Sequence, residues 1–186
     1  MSNGTQQTVN IGVIGCGGRM RTVLQHVKQH SDRFQIAALC DPLQASIERT
    51  RATFDLSCPC YGDYRELLQE PALDWIFIGS WNCFHAEHTV AALRAGKHVF
   101  CEKPFATSMA DCRELVRAWQ ESGKLFTIGF TLRYSPHFEA VKALIDAGEI
   151  GELISMEFNE TLSFNHGGHI MSDWRRRRDY TGTHLL

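Results

Sequence analysis

Apolar and polar positions alternate in blocks along the first 130 residues. Val9 to Ile14 is a short, β-branched apolar run, the mark of a buried strand. Val23, Leu24 and Val27 then recur at helical spacing. Phe34 to Cys40 reads as a second strand, and the helix opened by Pro42 runs to about Phe54. Cys58 to Tyr61 is a short strand, and Asp63 caps a short helix ending near Leu68. Leu73 to Gly79 is a strand, followed by a helix that Asn82 caps and Gly96 stops. Lys97 to Cys101 is the next strand. Ser108-Met109-Ala110-Asp111 has the form of a capping box before a helix carrying Cys112, Leu115, Val116 and Trp119, with Gly123 at its end. Leu125 to Phe130 is a strand, and Pro136 opens a helix with Phe138, Val141, Leu144 and Ile145 on one face and Gly148 as its stop.

Strands alternating with helices predict an α/β fold, a doubly wound parallel sheet with helices on both faces. Right-handed crossovers bring every strand's C-terminal end to one edge. Gly15, Asp41, Gly79, Cys101 and Phe130 therefore line one edge, where such sheets bind ligands. Beyond Gly151 the pattern changes. Leu153 to Leu162 alternates, with Ile154, Met156 and Phe158 opposite Ser155, Glu157 and Asn159, as in a half-buried antiparallel strand. These switches divide the chain into a flexible tail (residues 1–8), a sheet domain (9–148) and the incomplete start of an α+β domain (149–186). One strand cannot bury its own apolar face. The last segment is left with three fates: disorder, packing back on the sheet domain, or pairing with another copy. Disorder or weak self-association is the expectation.

Composition narrows the function. The chain has 186 residues, enough for a real core. A formal charge of −2 argues against nucleic acid held by bulk electrostatics. No apolar run is long enough to span a membrane, and the polar start lacks a signal segment, so the expected compartment is the cytoplasm. The seven scattered cysteines are then expected as free thiols. Cys58-Pro59-Cys60 is too closely spaced for a paired metal ligand and reads as structural. Arg175-Arg176-Arg177-Arg178 is the one charge run, read as a solvated turn, with an anion or substrate contact as the minority reading.

Three stretches carry chemistry. Gly15-Cys16-Gly17-Gly18 sits between a strand and a helix, the setting of a dinucleotide turn. Gly15 permits the tight turn and Gly17 the approach of a pyrophosphate, while the helix N-terminus attracts the anion. Met20 occupies the place of the third glycine and implies a wider helix–strand fit. A ligand-free glycine turn is the alternative. Asp41, at the end of the second strand, is placed to bond a ribose diol, or else serves as a turn acid. Its charge favours NAD over NADP, although Arg19 and Arg21 offer a phosphate partner. Glu102-Lys103-Pro104 opens onto the same edge. A lysine there can bond a substrate hydroxyl and relay its proton, with Glu102 orienting or neutralising it; the alternative is a surface ion pair.

These motifs, with Ser80-Trp81-Asn82-Cys83-Phe84-His85, Ala95-Gly96-Lys97-His98-Val99-Phe100-Cys101, Gly129-Phe130-Thr131-Leu132-Arg133-Tyr134 and Gly148-Glu149-Ile150-Gly151-Glu152, resemble the Gfo/Idh/MocA oxidoreductases from Val9 nearly to the end. The resemblance implies a Rossmann domain and a nicotinamide-dependent oxidoreductase of sugars, inositol or related polyols, homo-oligomeric when complete. It implies Lys103 as the catalytic lysine, with Glu102 beside it. It places Gly15, Gly17, Gly18, Arg19, Met20, Asp41, Ser80, Asn82, His85, Glu102 and Lys103 at the cofactor, and Arg133, Trp174 and Arg175 at the substrate. His85 has packing or capping as an equal alternative, and His85 with His88 lacks a third ligand, so no metal is expected. The family's second domain carries a His-x-x-Asp motif after a Gly-Gly segment. Thr181-Gly182-Thr183-His184 resembles that segment, but His184 comes too early to be the histidine. Two classes of function follow: the cofactor half of a dehydrogenase, or a non-catalytic dinucleotide-binding sensor or relic.

Overall fold

The computed structural model describes residues 8–159, 161, 163–171 and 173–182. Six strands form one sheet: β1 (Val9–Ile14), β2 (Phe34–Cys40), β3 (Cys60–Tyr61), β4 (Trp75–Ile78), β5 (His98–Cys101) and β6 (Phe126–Ile128). The order is β3-β2-β1-β4-β5-β6, and every pairing is parallel. This is the expected Rossmann arrangement, with the order reversing direction between β1 and β4. The helices of this domain are α1 (Gly18–His30), α2 (Gln44–Phe54), α3 (Tyr64–Leu67), α4 (His85–Arg94) and α5 (Met109–Ser122).

Strand period divides the core in two. Ile11 and Val13 of β1 pack with Met20 and Leu24 of α1 and with Ile47 and Phe54 of α2. Ile14 turns to the other face, with Leu67, Ile76, Ile78, Val90, Leu93 and Leu115. Gly12 shares that second face, where a methyl group would meet Leu73 Cδ1 at 2.7 Å. The glycine lets α3 and its following loop close onto β1. The caps at Asp63 and Ser108 form as expected, each side chain accepting a backbone N–H two or three residues on. Asn82 differs from expectation. It opens a 3₁₀ turn (Asn82–Phe84) rather than capping α4, and the chain tightens through that turn into the helix.

The sheet edge opposite the C-terminal ends is tied by a buried lysine. Lys97 Nζ donates to the carbonyls of Leu73 at 2.8 Å and Glu70 at 3.0 Å. Asn10 holds the same loop through the Asp74 carboxylate and the Ala72 carbonyl. These bonds set where β4 enters the sheet.

Past β6 lie a 3₁₀ turn (Thr131–Tyr134) and α6 (Pro136–Asp146), whose Val141 and Leu144 are exposed. The strand expected over 153–162 does not form among its described residues. Residues 153–159 are irregular, with Ile154 and Phe158 exposed. Among the described residues no neighbouring strand accepts their backbone groups, and a lone strand has no stability of its own. The last described residues form α7 (Phe164–Ile170), a 3₁₀ turn (Asp173–Arg176) and α8 (Arg178–Thr181). Against the expectation of disorder, residues 173–182 pack back on the sheet domain, burying Thr181. The tail at 1–7, Leu162, Thr183 and His184 lie outside the described residues.

Replacing Lys97 by Met keeps the apolar stem but strips the Leu73 carbonyl of the ammonium and leaves the Glu70 carbonyl only the longer bond from Leu73 N–H. The expected cost is roughly 1–3 kcal/mol of unfolding free energy in urea titrations, with no loss of function at the far edge. A variant as stable as the parent would show that water replaces the ammonium.

Candidate functional site

The site starts at the end of β1. Gly15 has φ +88°, and a methyl group there would lie 2.3 Å from Ser80 N and 2.5 Å from the carbonyl carbon of Gly79. Only glycine fits, on conformational and steric grounds alike. Gly17 caps α1 with no side chain, Gly18 opens the helix, and the first turn holds no acidic residue. A methyl group on Gly17 would meet nothing within 4 Å. The result is an open cradle beneath unclaimed helix N–H groups, which fits a pyrophosphate.

Met20 does not widen the fit. Its side chain is fully buried and fills the room left by Gly79, whose hypothetical methyl would be 2.9 Å from Met20 Cβ and Cε. The missing third glycine is compensated on the facing strand, and the Met20 side chain belongs to the core.

Asp41 stands beside the turn. Its Oδ2 accepts from Cys16 N–H and its Oδ1 from Leu43 N–H, both at 2.8 Å. It joins the glycine turn to the start of α2, a turn-acid role compatible with a ribose contact. Arg21 donates to the Cys16 carbonyl at 2.7 Å. Cys16 is buried, and burial raises its thiol to about 12, so it is an inert neutral group. All seven cysteines are free.

Glu102 does not pair with its neighbour Lys103. Its buried carboxylate accepts from Arg19 Nε at 3.0 Å, spanning the edge from the end of β5 to the first turn of α1. Gly129 makes room for it, since a methyl group there would stand 3.1 Å from the Glu102 carboxyl. Lys103 is left exposed at the edge, before the cis peptide bond to Pro104.

Two histidines occupy the start of α4. The ring of His85 is buried, with Nδ1 2.6 Å from the Pro104 carbonyl and Nε2 3.0 Å from the Ser80 carbonyl. Both nitrogens are spent on the protein. His88 Nδ1 is 3.0 Å from Ser80 Oγ, and its ring lies against Tyr64. Burial pulls the imidazole of His88 down to about 4 and that of His85 down as well, so His88 is neutral at pH 7.

The returning C-terminal segment forms a wall beside this edge. Trp81 stacks on Trp174 with ring centroids 5.2 Å apart, and Tyr180 meets it edge-on at 5.4 Å. The guanidinium groups of Arg175 and Arg177 lie over Trp174 and Tyr180 at 4.5 and 4.4 Å. Half of the arginine run is thus bound to aromatic faces rather than simply solvated. Gly182 approaches Thr107, in the loop after Pro104. Trp174 and Arg175 are therefore brought to the Ser80–Phe84 loop, while Arg133 is exposed in the turn after β6. A cleft of about 410 Å³ between α4 and α5, lined by Tyr64, Cys83, Glu87, Arg94, Asp111 and Glu114, holds none of these groups.

The glycine turn, the acid after β2 and the lysine after β5 share the carboxyl edge of one sheet, and a family model agrees. The model for the oxidoreductase family with an NAD-binding Rossmann fold, GFO_IDH_MocA, matches residues 9–130. This chain belongs to that family. Inositol 2-dehydrogenase of Salmonella typhimurium (strain LT2) is 33% identical over 146 residues, covering 78% of this chain and 44% of the relative. Apo scyllo-inositol dehydrogenase of Lactobacillus casei superposes with a TM-score of 0.74 at 26% identity, covering 80% of this chain and 44% of that one. The same protein with bound NAD(H) and scyllo-inositol gives 0.72 at 25% identity, over 78% and 43%. The chain thus spans less than half the length of the relatives it matches. Between its glycine turn and its Glu102-Lys103-Pro104 segment, this chain pairs Arg19 with Glu102 across the edge. Among the described residues no helix is long and apolar enough to cross a membrane, and no group of three metal-ligating side chains assembles.

The buried histidine gives a pH signature. The ordinary pKa of 6.5 applies to His88 in the unfolded chain, against about 4 in the fold. Its neutral form is the one that folds. Stability is full above pH 6.5 and falls as the unfolded chain takes up the proton, down to about pH 4, on the order of 3 kcal/mol in all. Asp63, Arg65, Glu87 and His85 are the charged and titrating groups around it. Urea unfolding across that range should show a shallower slope for His88→Phe than for the parent; parallel curves would remove His88 as the source.

Proposed function

We propose that this chain is the cofactor half of an NAD-dependent dehydrogenase of a cyclic polyol or sugar, working in the cytoplasm and homo-oligomeric when complete. The observation that carries the reading is the convergence of the open glycine cradle, Asp41 and Lys103 on one sheet edge. The names of the relatives, inositol dehydrogenases, support the substrate class. They lend the sensor alternative no support. Residues 149–186 are read as the start of the second, substrate-binding domain.

The cradle residues fit the cofactor as follows. Gly17 and Gly18 leave space and free N–H groups for the pyrophosphate, and Arg19, half exposed, adds a positive charge beside it. Asp41 accepts bonds from the adenosine ribose. When bound, the nicotinamide supplies the hydride acceptor. Lys103 bonds the substrate hydroxyl at the carbon that loses hydride and takes part in removing its proton. Ser80 and Asn82 border the inner half of the cofactor. Arg133, Trp174 and Arg175 face the substrate side, where an aromatic wall gives a polyol ring an apolar surface.

Two measurements test this. Asp41 repels a 2′-phosphate, while Glu102 and the Cys16 carbonyl already engage Arg19 and Arg21. Calorimetric titration should therefore show NAD binding more tightly than NADP; equal or tighter NADP binding overturns the preference. In any form of the enzyme with both domains, Lys103→Ala should lower kcat for inositol oxidation by about 100-fold or more, with the Kd for NAD near its original value. An unchanged kcat would make Lys103 a surface residue.

A further inference from the structure

Among the described residues, His85 is the one imidazole whose two nitrogens both address carbonyls from different loops. Nδ1 faces Pro104, immediately after Lys103, and Nε2 faces Ser80, at the end of β4. The ring is 1% exposed, so no water substitutes for either contact. Its place at the first residue of α4 anchors it to the helix that packs on β5. Neither loop carries a regular pairing at these points. The ladder between β4 and β5 ends at Ile78 and Cys101. Beyond that register, the remaining backbone bond between the strands is Glu102 N–H to the Ile78 carbonyl. Past it, the hydrogen-bonding groups that face both loops among the described residues are those of His85, while Phe105 and Ala106 pack on the core.

We infer that His85 is a positioning residue, a staple that sets the Lys103-Pro104 segment against the Ser80 loop and so fixes where Lys103 stands on the cofactor edge. The role rests on the reading of Lys103 as the reacting lysine, and it differs from a direct cofactor contact. The donor chemistry is demanding. A neutral imidazole donates through one nitrogen only, while the imidazolium donates to both carbonyls. Burial favours the neutral ring, and the nearby Glu102 carboxylate favours the charged one. In the neutral ring the shorter contact, to Pro104, is the one served by the proton.

Side-chain amides separate the two halves of the staple. Asn places its N–H near the Nδ1 position and keeps the Pro104 side. Gln places its N–H near Nε2 and keeps the Ser80 side. Phe keeps the ring and its burial but donates to neither. The reporter is the ¹³C-dimethylamine signal of Lys103 in the reductively methylated chain without NAD, assigned by its loss in Lys103→Arg. The Lys103 signal should stay near its native position in His85→Asn and be displaced in His85→Gln and His85→Phe. It should stay native in Lys97→Met, a control for lost stability at the opposite edge. The Kd for NAD should stay near its parent value in His85→Gln, since that variant keeps the Ser80 side and Lys103 itself contributes little to cofactor affinity. If His85→Phe does not fold, the Asn and Gln pair carries the comparison. A signal that is native in every His85 variant, or displaced equally in Asn, Gln and Lys97→Met, overturns the inference. Failure of the parent chain to bind NAD would overturn the cofactor reading instead, since the lysine signal is read without cofactor.

Discussion

The ends of β1 and β4 touch backbone to backbone, with no space for a side chain on Gly15. Strand order reverses at this place, so β1 and β4 part company just beyond it and leave a crevice. The close contact fixes where the glycine turn leaves the sheet, and hence where α1 begins. It also leaves Gly79 facing Met20, which fills the void. Gly15, Met20 and Gly79 act as one packing unit. The open cradle at Gly17 exists because that unit holds the turn down on one side only.

Much of this was legible from pattern. Six strands and their helices follow from apolar runs, caps and glycine stops, because buried parallel strands are continuous apolar segments and helix ends need particular residues. The edge location of Gly15, Asp41 and Lys103 follows from the right-handed crossover. The misses are of another kind. Met20 in place of glycine suggested slack, but the compensating glycine, Gly79, directly follows β4, far away in sequence. Residues 153–159 have the alternation of a strand, yet a strand depends on a neighbour that local pattern does not supply. The return of Trp174 and Tyr180 to Trp81 is a long-range aromatic contact with no local signal.

Polar residues show the same limit. Motif reading placed Glu102 beside Lys103, and it left His85 between a cofactor contact and a packing or capping role. In the fold, Glu102 pairs with Arg19, and both ring nitrogens of His85 face protein carbonyls. Both are buried, and a buried charge or ring nitrogen must be paired before it can be useful to a ligand. Motif residues thus sort into those that hold the edge together and those left to meet a ligand. Burial makes that division, and residue type alone does not.

Lys103 falls on the ligand side of the division. Its neighbour Glu102 is buried and engaged, while its own side chain is exposed. An exposed ammonium is well solvated, and water competes with a substrate hydroxyl for it. A lysine in the proposed role therefore needs two things: a fixed backbone and a surface that excludes water. The contacts around Pro104 and Ser80 meet the first. The stacked Trp81 and Trp174, clamped by Arg175 and Tyr180, meet part of the second from one side. Past β6, the apolar side chains of α6 and residues 153–159 stand exposed, Ile154 at 93% and Leu144 at 53%. A surface of that kind is costly in water and is well suited to being covered. Further protein seated on it and reaching over the carboxyl edge would remove the competing water, the condition under which the lysine's proton chemistry becomes effective.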